Sequence, residues 1–130
     1  MKKNQLYATV LIPILGLLAI VVPAYFTSTN SITYPDSLFP LIRLAVEKIS
    51  YWSAILLFFT GFIMKFFTSL NGWKVGLLTI ALLPVITFLE IIADSSSHNL
   101  WPIEFVFYAV FSIPAIIGAW LSHFLRKKFF

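Results

Sequence analysis

Four apolar runs of about 20 residues each leave this chain few choices of fold. They extend over residues 6–26, 46–67, 73–93 and 101–125. A helix of that length crosses about 30 Å of hydrocarbon at 1.5 Å rise per residue. None of the runs alternates polar and apolar positions, as a barrel strand of about 10 residues would have to. The expected class is therefore all-α: a polytopic integral membrane protein, with residues 1–130 forming one transmembrane domain built as a four-helix bundle. The first run follows a basic start, as a secretory signal does, but it exceeds the roughly 7–15 apolar residues of a signal core and three more runs follow it. It is read as a retained span.

Charge is scarce. Only 11% of residues are charged against 60% hydrophobic, with mean hydropathy +0.95, whereas soluble domains carry about 25% charged residues. The absence of cysteine excludes disulfides, thiolate metal sites and dithiol redox chemistry. The net charge of +4 comes mostly from the chain ends, which suits contact with anionic headgroups and argues against a nucleic-acid partner. Lys2 and Lys3 precede the first run, Lys65 and Lys74 flank the second connection, and Arg126, Lys127 and Lys128 follow the fourth run. Four crossings put these clusters on one side, so both termini are expected to be cytoplasmic, in the plasma membrane of a bacterium. Tyr34, Tyr51, Trp52, Trp73, Trp101 and Trp120 lie near the ends of runs, as an aromatic belt does.

The connection over residues 27–45 begins with turn-forming residues and becomes amphipathic around Leu38, Phe39, Leu41 and Ile42. It reads as a helix lying on the membrane surface, either a plain connector or a lid. Pro13, Pro84 and Pro114 fall inside runs, where each removes a backbone donor and favours a kink. The phenylalanine-rich second run, LLFFTGFIMKFF, reads as lipid-exposed.

Two runs carry a polar or small seam. At 100° per residue, Gly76, Thr79, Leu83, Thr87, Glu90 and Asp94 share an arc of about 80°, and Glu104, Tyr108, Ser112, Ala115, Ala119, Ser122 and His123 share one of about 100°. The rest of each run is apolar: Val75, Leu77 and Leu78 in one, Val106, Phe107 and Val110 in the other. Small residues allow close helix packing, and hydroxyls bond across it. A weaker stripe in the first run joins Ala8, Ile12, Gly16, Ala19 and Pro23.

The segment FLEIIADSSSHNL concentrates the chemistry. A hairpin through SSSHN sets Glu90 at the depth of Glu104, with Asp94 and His98 above them. Three readings are open: caps at the interface, a proton or cation site, and ion pairing to Arg43 or Lys48. No nucleophile elbow, Walker loop, GxGxxG or HExxH is present, so neither an enzyme nor a cofactor is expected. A metal at the acids is left open. The favoured function is an accessory subunit or regulator, including an immunity-type protein, that packs its seam on a larger membrane partner. The alternative is a homo-oligomeric transporter or channel coupled to protons or cations through Glu90 and Glu104.

Overall fold

The computed structural model describes residues 3–28, 37–96 and 98–129, with the side chains of Lys3 and Asn4 outside that set. Lys2, Tyr34, Pro35 and Asp36 also lie outside the described residues. The described residues form helices α1 (Lys3–Thr27), α2 (Pro40–Glu47), α3 (Tyr51–Phe67), α4 (Gly72–Thr79), α5 (Leu82–Ala93), α6 (Trp101–Phe111) and α7 (Ile113–Phe129), and no strand. Three helical stretches are long and apolar enough to cross a membrane: α1, α4 with α5, and α6 with α7. A fourth is added if α2 and α3, bent by 100° at their junction, count as one. This is a membrane-embedded, all-helical protein.

The second run is not one continuous helix from residue 46, as its apolar pattern suggested, and its long helix begins at Tyr51. Val46 belongs to α2, and Ser50 is extended at φ −117°, ψ 168°, where the chain turns. Arg43, Glu47 and Lys48 keep α2 at a polar boundary. The apolar Val46 and Ile49 that prolonged the run line a cavity beside α2.

Two of the in-run prolines mark the helix breaks. Pro84 cannot donate to the carbonyl four residues back, on Ile80. The chain there tightens into three-residue spacing, with Ile80 N–H donating to Leu77 at 3.3 Å, Ala81 to Leu78 at 3.2 Å and Leu83 to Ile80 at 3.0 Å. Pro114 has the same effect on the α6–α7 junction, where Ser112 N–H donates to Ala109 at 3.2 Å. The seam hydroxyls sit at these junctions: Thr79 donates to Gly76 carbonyl at 2.5 Å and Ser112 to Ala109 carbonyl at 2.6 Å. They supply bonds inside their own helices, as hydrocarbon demands. Pro13 leaves α1 unbroken.

Packing is tightest between α3 and α7. Ser53, Leu57, Gly61 and Met64 on α3 are buried, as are Ala115, Gly118, Ala119 and Ser122 on α7. A methyl group on Gly61 would overlap the Ala115 carbonyl, and one on Gly118 the Phe58 carbonyl, so the two backbones touch. The expectation that α3 is mainly lipid-exposed is thus corrected. Only its other face is, with Phe59, Ile63 and Phe67 outward. Val75, outside the seam on the apolar remainder of the third run, is also buried, in a cluster with Ala8, Ile12, Met64 and Ala119. The stripe on α1 is buried throughout, and Gly16 meets the Thr79 carbonyl.

Hydrogen bonds gather the chain into two ends. Gln5 Nε2 donates to Ser69 Oγ at 2.7 Å and Arg126 to the Phe66 carbonyl at 3.4 Å, joining the start of α1, the α3–α4 turn and the end of α7. The α2 segment and the α5–α6 turn occupy the other end. Gly61→Val should cost about 1–3 kcal/mol by overpacking a backbone contact. Thermal unfolding in detergent measures it, and an unchanged midpoint would mean that α3 and α7 do not meet at Gly61.

Candidate functional site

The tight packing belongs to the half of the molecule below the two breaks. Above them α5 and α6 make only a sparse contact, and the space between them is closed on a third side by α2. The result is a cavity of about 430 Å³, within the size range of small-molecule sites. Leu83, Ile86, Phe107 and Phe111 supply apolar wall, while Thr87, Glu90, His98, Glu104 and Tyr108 supply polar groups.

His98 lies between two carboxylates. Its Nε2 is 2.5 Å from Glu90 Oε2, and its Nδ1 is 2.8 Å from Glu104 Oε2 and 3.0 Å from Oε1. The His98 and Glu90 side chains are 8% and 7% exposed, so this pair is held away from water. Each carboxylate is also tied to another element. Glu90 Oε1 accepts from the Ser37 hydroxyl at 2.5 Å and from Phe39 N–H at 3.3 Å, which pins the start of α2 to α5. The N-terminal end of α2 favours that negative charge. Glu104 accepts from the Tyr108 hydroxyl at 3.4 Å, and Tyr108 lies 2.9 Å from the Thr87 hydroxyl. If Tyr108 donates to Glu104, Thr87 donates to Tyr108, and the chain of hydroxyls is complete.

Both ring nitrogens of His98 face a carboxylate, and only the protonated ring has two N–H donors. Burial works against the charge, but hydrogen bonds to Glu104 and Glu90 and their negative charge outweigh it, holding the His98 pKa above its ordinary 6.5. With imidazolium between two carboxylates the cluster carries one net negative charge. Loss of the ring proton leaves one nitrogen lone pair facing a carboxylate, and that contact becomes repulsive.

Asp94 does not join the other three. It is exposed at the C-cap of α5, where its Oδ1 accepts from Ser96 N–H at 3.0 Å and from the Ser96 hydroxyl at 2.7 Å. These bonds hold its pKa below the usual carboxylate value. It caps a turn. Arg43 does not bridge to the cluster by an ion pair but faces Glu47 on its own helix at 3.5 Å, at the cavity rim. No group of three or more His, Asp or Glu side chains among the described residues is arranged to hold a metal ion. Both nitrogens of His98 are already committed to carboxylates.

The seam residues divide between roles. Thr87 and Tyr108 meet each other across the cavity, Thr79 and Ser112 bond their own helices, Gly76 meets Ile116, and Ala115 and Ala119 are fully buried among neighbouring helices. The sequence reading missed Ser37 and the amide of Phe39, because nothing local links residues 53 and 51 positions away from Glu90. It also missed the small face of α3. The eight-residue spacing of Ser53 and Gly61, two helical turns, was the available signal.

No known protein family, characterised protein or solved structure matches this chain. Its chemistry has to be read from its own residues. Because the His98 pKa is raised in the folded state, its contribution to stability is complete below pH 6.5 and is lost as pH rises through the raised value. The unfolding midpoint should therefore fall on going from mildly acid to alkaline pH. His98→Gln should be less stable at acid pH and flat across that window, and an identical pH profile in variant and native protein would rule out the charged ring.

Proposed function

We propose that this is a four-span plasma-membrane protein with both termini cytoplasmic, as expected in a bacterium, that exchanges a proton for a cation at the Glu90–His98–Glu104 cluster. One observation carries the reading: a buried imidazole held between two carboxylates in a cavity whose remaining wall is mostly apolar, with the Arg43–Glu47 pair at its rim. A net negative charge kept out of water draws in a proton or a cation, and the first competes with the second. Apolar walls favour a cation carried on an apolar body over a hydrated metal ion. Protonation of Glu90 or Glu104 would release that cation. Deprotonation of His98 would strengthen its hold.

Glu90 links this exchange to the shape of the site. Its carboxylate holds Ser37 and Phe39 at the start of α2, so a change in its charge loosens or tightens the helix that walls the cavity. The residues that line the cavity all lie above the breaks, and below them the helices pack closely. Transport then requires opening at the Ile80 and Ser112 junctions or completion of the path by a second copy, and we include self-association in the proposal. The accessory-subunit reading, motivated by the absence of ionisable residues from the central third of every span, stands as the second reading, with Gly76 and Ala119 of its seam packed against other helices of the chain.

Reconstituted protein should take up a lipophilic cation such as tetraphenylphosphonium into liposomes when the lumen is acid. Glu90→Gln should reduce the rate about 100-fold, the scale of losing one charged, buried partner at about 3 kcal/mol, and Glu104→Gln, at a side chain 32% exposed, should reduce it less. Uptake equal to that of empty liposomes, together with co-purification of a different membrane protein in fixed proportion, would overturn the exchange reading in favour of the accessory one. Mass measurement in detergent tests self-association. A reporter fused after Phe130 tests sidedness, and an extracytoplasmic signal would overturn the inside-ended topology.

A further inference from the structure

A second cavity, of about 420 Å³, lies at the opposite end of the molecule and owes nothing to the His98 cluster. Lys65, Thr68, Ser69, His123, Arg126 and Lys127 line it, with no carboxylate among these residues. Lys65 and Thr68 come from the end of α3, Ser69 from the following turn, and the others from the last turns of α7. Three permanent cations are thereby drawn into one concavity. Lys65 Nζ gives one N–H to the Leu70 carbonyl at 2.5 Å, leaving two donors, and Arg126 gives one nitrogen to the Phe66 carbonyl over a long 3.4 Å.

Thr68 adds a neutral polar group to the same lining. The residue is only 8% exposed, yet its hydroxyl has no hydrogen-bond partner among the described residues. A buried donor without a partner beside a row of cations is the complement of an oxyanion with several acceptor oxygens. The setting selects the source of that oxyanion. The cavity lies at the ends of helices of membrane-crossing composition, and Leu121, Phe67 and Phe124, on the same helix turns as its lining residues, are 42%, 77% and 61% exposed, so those turns also present apolar surface. Phosphate belongs in the pocket and acyl chains belong on the phenylalanines.

We propose that this cavity binds the phosphate of an anionic phospholipid headgroup. Arg126 and Lys127 form its outer wall, Lys65 its inner cation, and Thr68 the neutral donor. The bound lipid neutralises the like charges of α3 and α7 and fastens the end of α7 to the α3–α4 turn.

The test uses the full chain in mixed micelles, following thermal unfolding during titration with phosphatidylglycerol, phosphatidylcholine or soluble glycerol phosphate. Phosphatidylglycerol should raise the midpoint and saturate, while the other two should leave it unchanged at equal concentration. Arg126→Gln should weaken the half-saturating concentration about tenfold, the loss of a charge-assisted phosphate contact. Lys128→Gln, which removes a charge from the same helix end outside the cavity, should change it threefold or less. Thr68→Val preserves shape and should weaken binding several-fold. Equal responses to the two lipids, saturation by glycerol phosphate over the same range, equal losses from Arg126→Gln and Lys128→Gln, or full affinity in Thr68→Val would each overturn the site.

Discussion

Hydrocarbon offers no partner to a backbone amide or carbonyl, and Pro84 and Pro114 disturb the hydrogen-bond ladder of two helices that have to lie in it. Much of the architecture follows from how that deficit is met. The chain tightens at Ile80–Ala81 and at Ser112, and Thr79 and Ser112 turn their hydroxyls onto carbonyls of their own helices. Each break divides a span into a half that packs closely and a half that does not. Below the breaks, Gly16, Gly61 and Gly118 let backbones of α1, α3, α4 and α7 touch, and Gly76 makes room for the Ile116 side chain. Above them α5 and α6 diverge, and the gap is the cavity.

The cavity could have closed on apolar side chains alone. It holds ionisable groups because the α5–α6 turn folds His98 back between Glu90 and Glu104, and because α2 covers the result. Each member secures another: the ring bridges two helices, Glu90 anchors α2, and Tyr108 links Glu104 to Thr87. A network of this kind responds to one proton as a unit, since removing it converts an attraction into a repulsion at the centre. Structural stability and site charge are therefore the same variable.

The molecule is also polar from end to end. Lys65, Arg126 and Lys127 share a pocket at one end, whereas Glu90, Glu104 and the single histidine between them occupy the other. The proposed anionic lipid would meet the basic pole, and the proposed cation the carboxylate-rich one. A chain with 11% charged residues has concentrated much of that charge in two cavities.

The sequence by itself determined the helical class, the number and approximate extent of the apolar runs, and the stripe of α1 that is buried, since these depend on residue character and the 3.6-residue period alone. It also brought Glu90, His98 and Glu104 into one neighbourhood, because a short turn between two helices permits little else. Asp94, equally acidic and only four residues from Glu90, separated from them because its carboxylate is satisfied by Ser96 in the turn. Tertiary structure alone decided that α3 is packed and not bathed in lipid, and that Ser37 reaches Glu90. Those outcomes rest on contacts between residues 50 to 60 positions apart, such as Gly61 with Ala115 and Ser37 with Glu90, where periodicity carries no information and steric fit between whole helices chooses the partner.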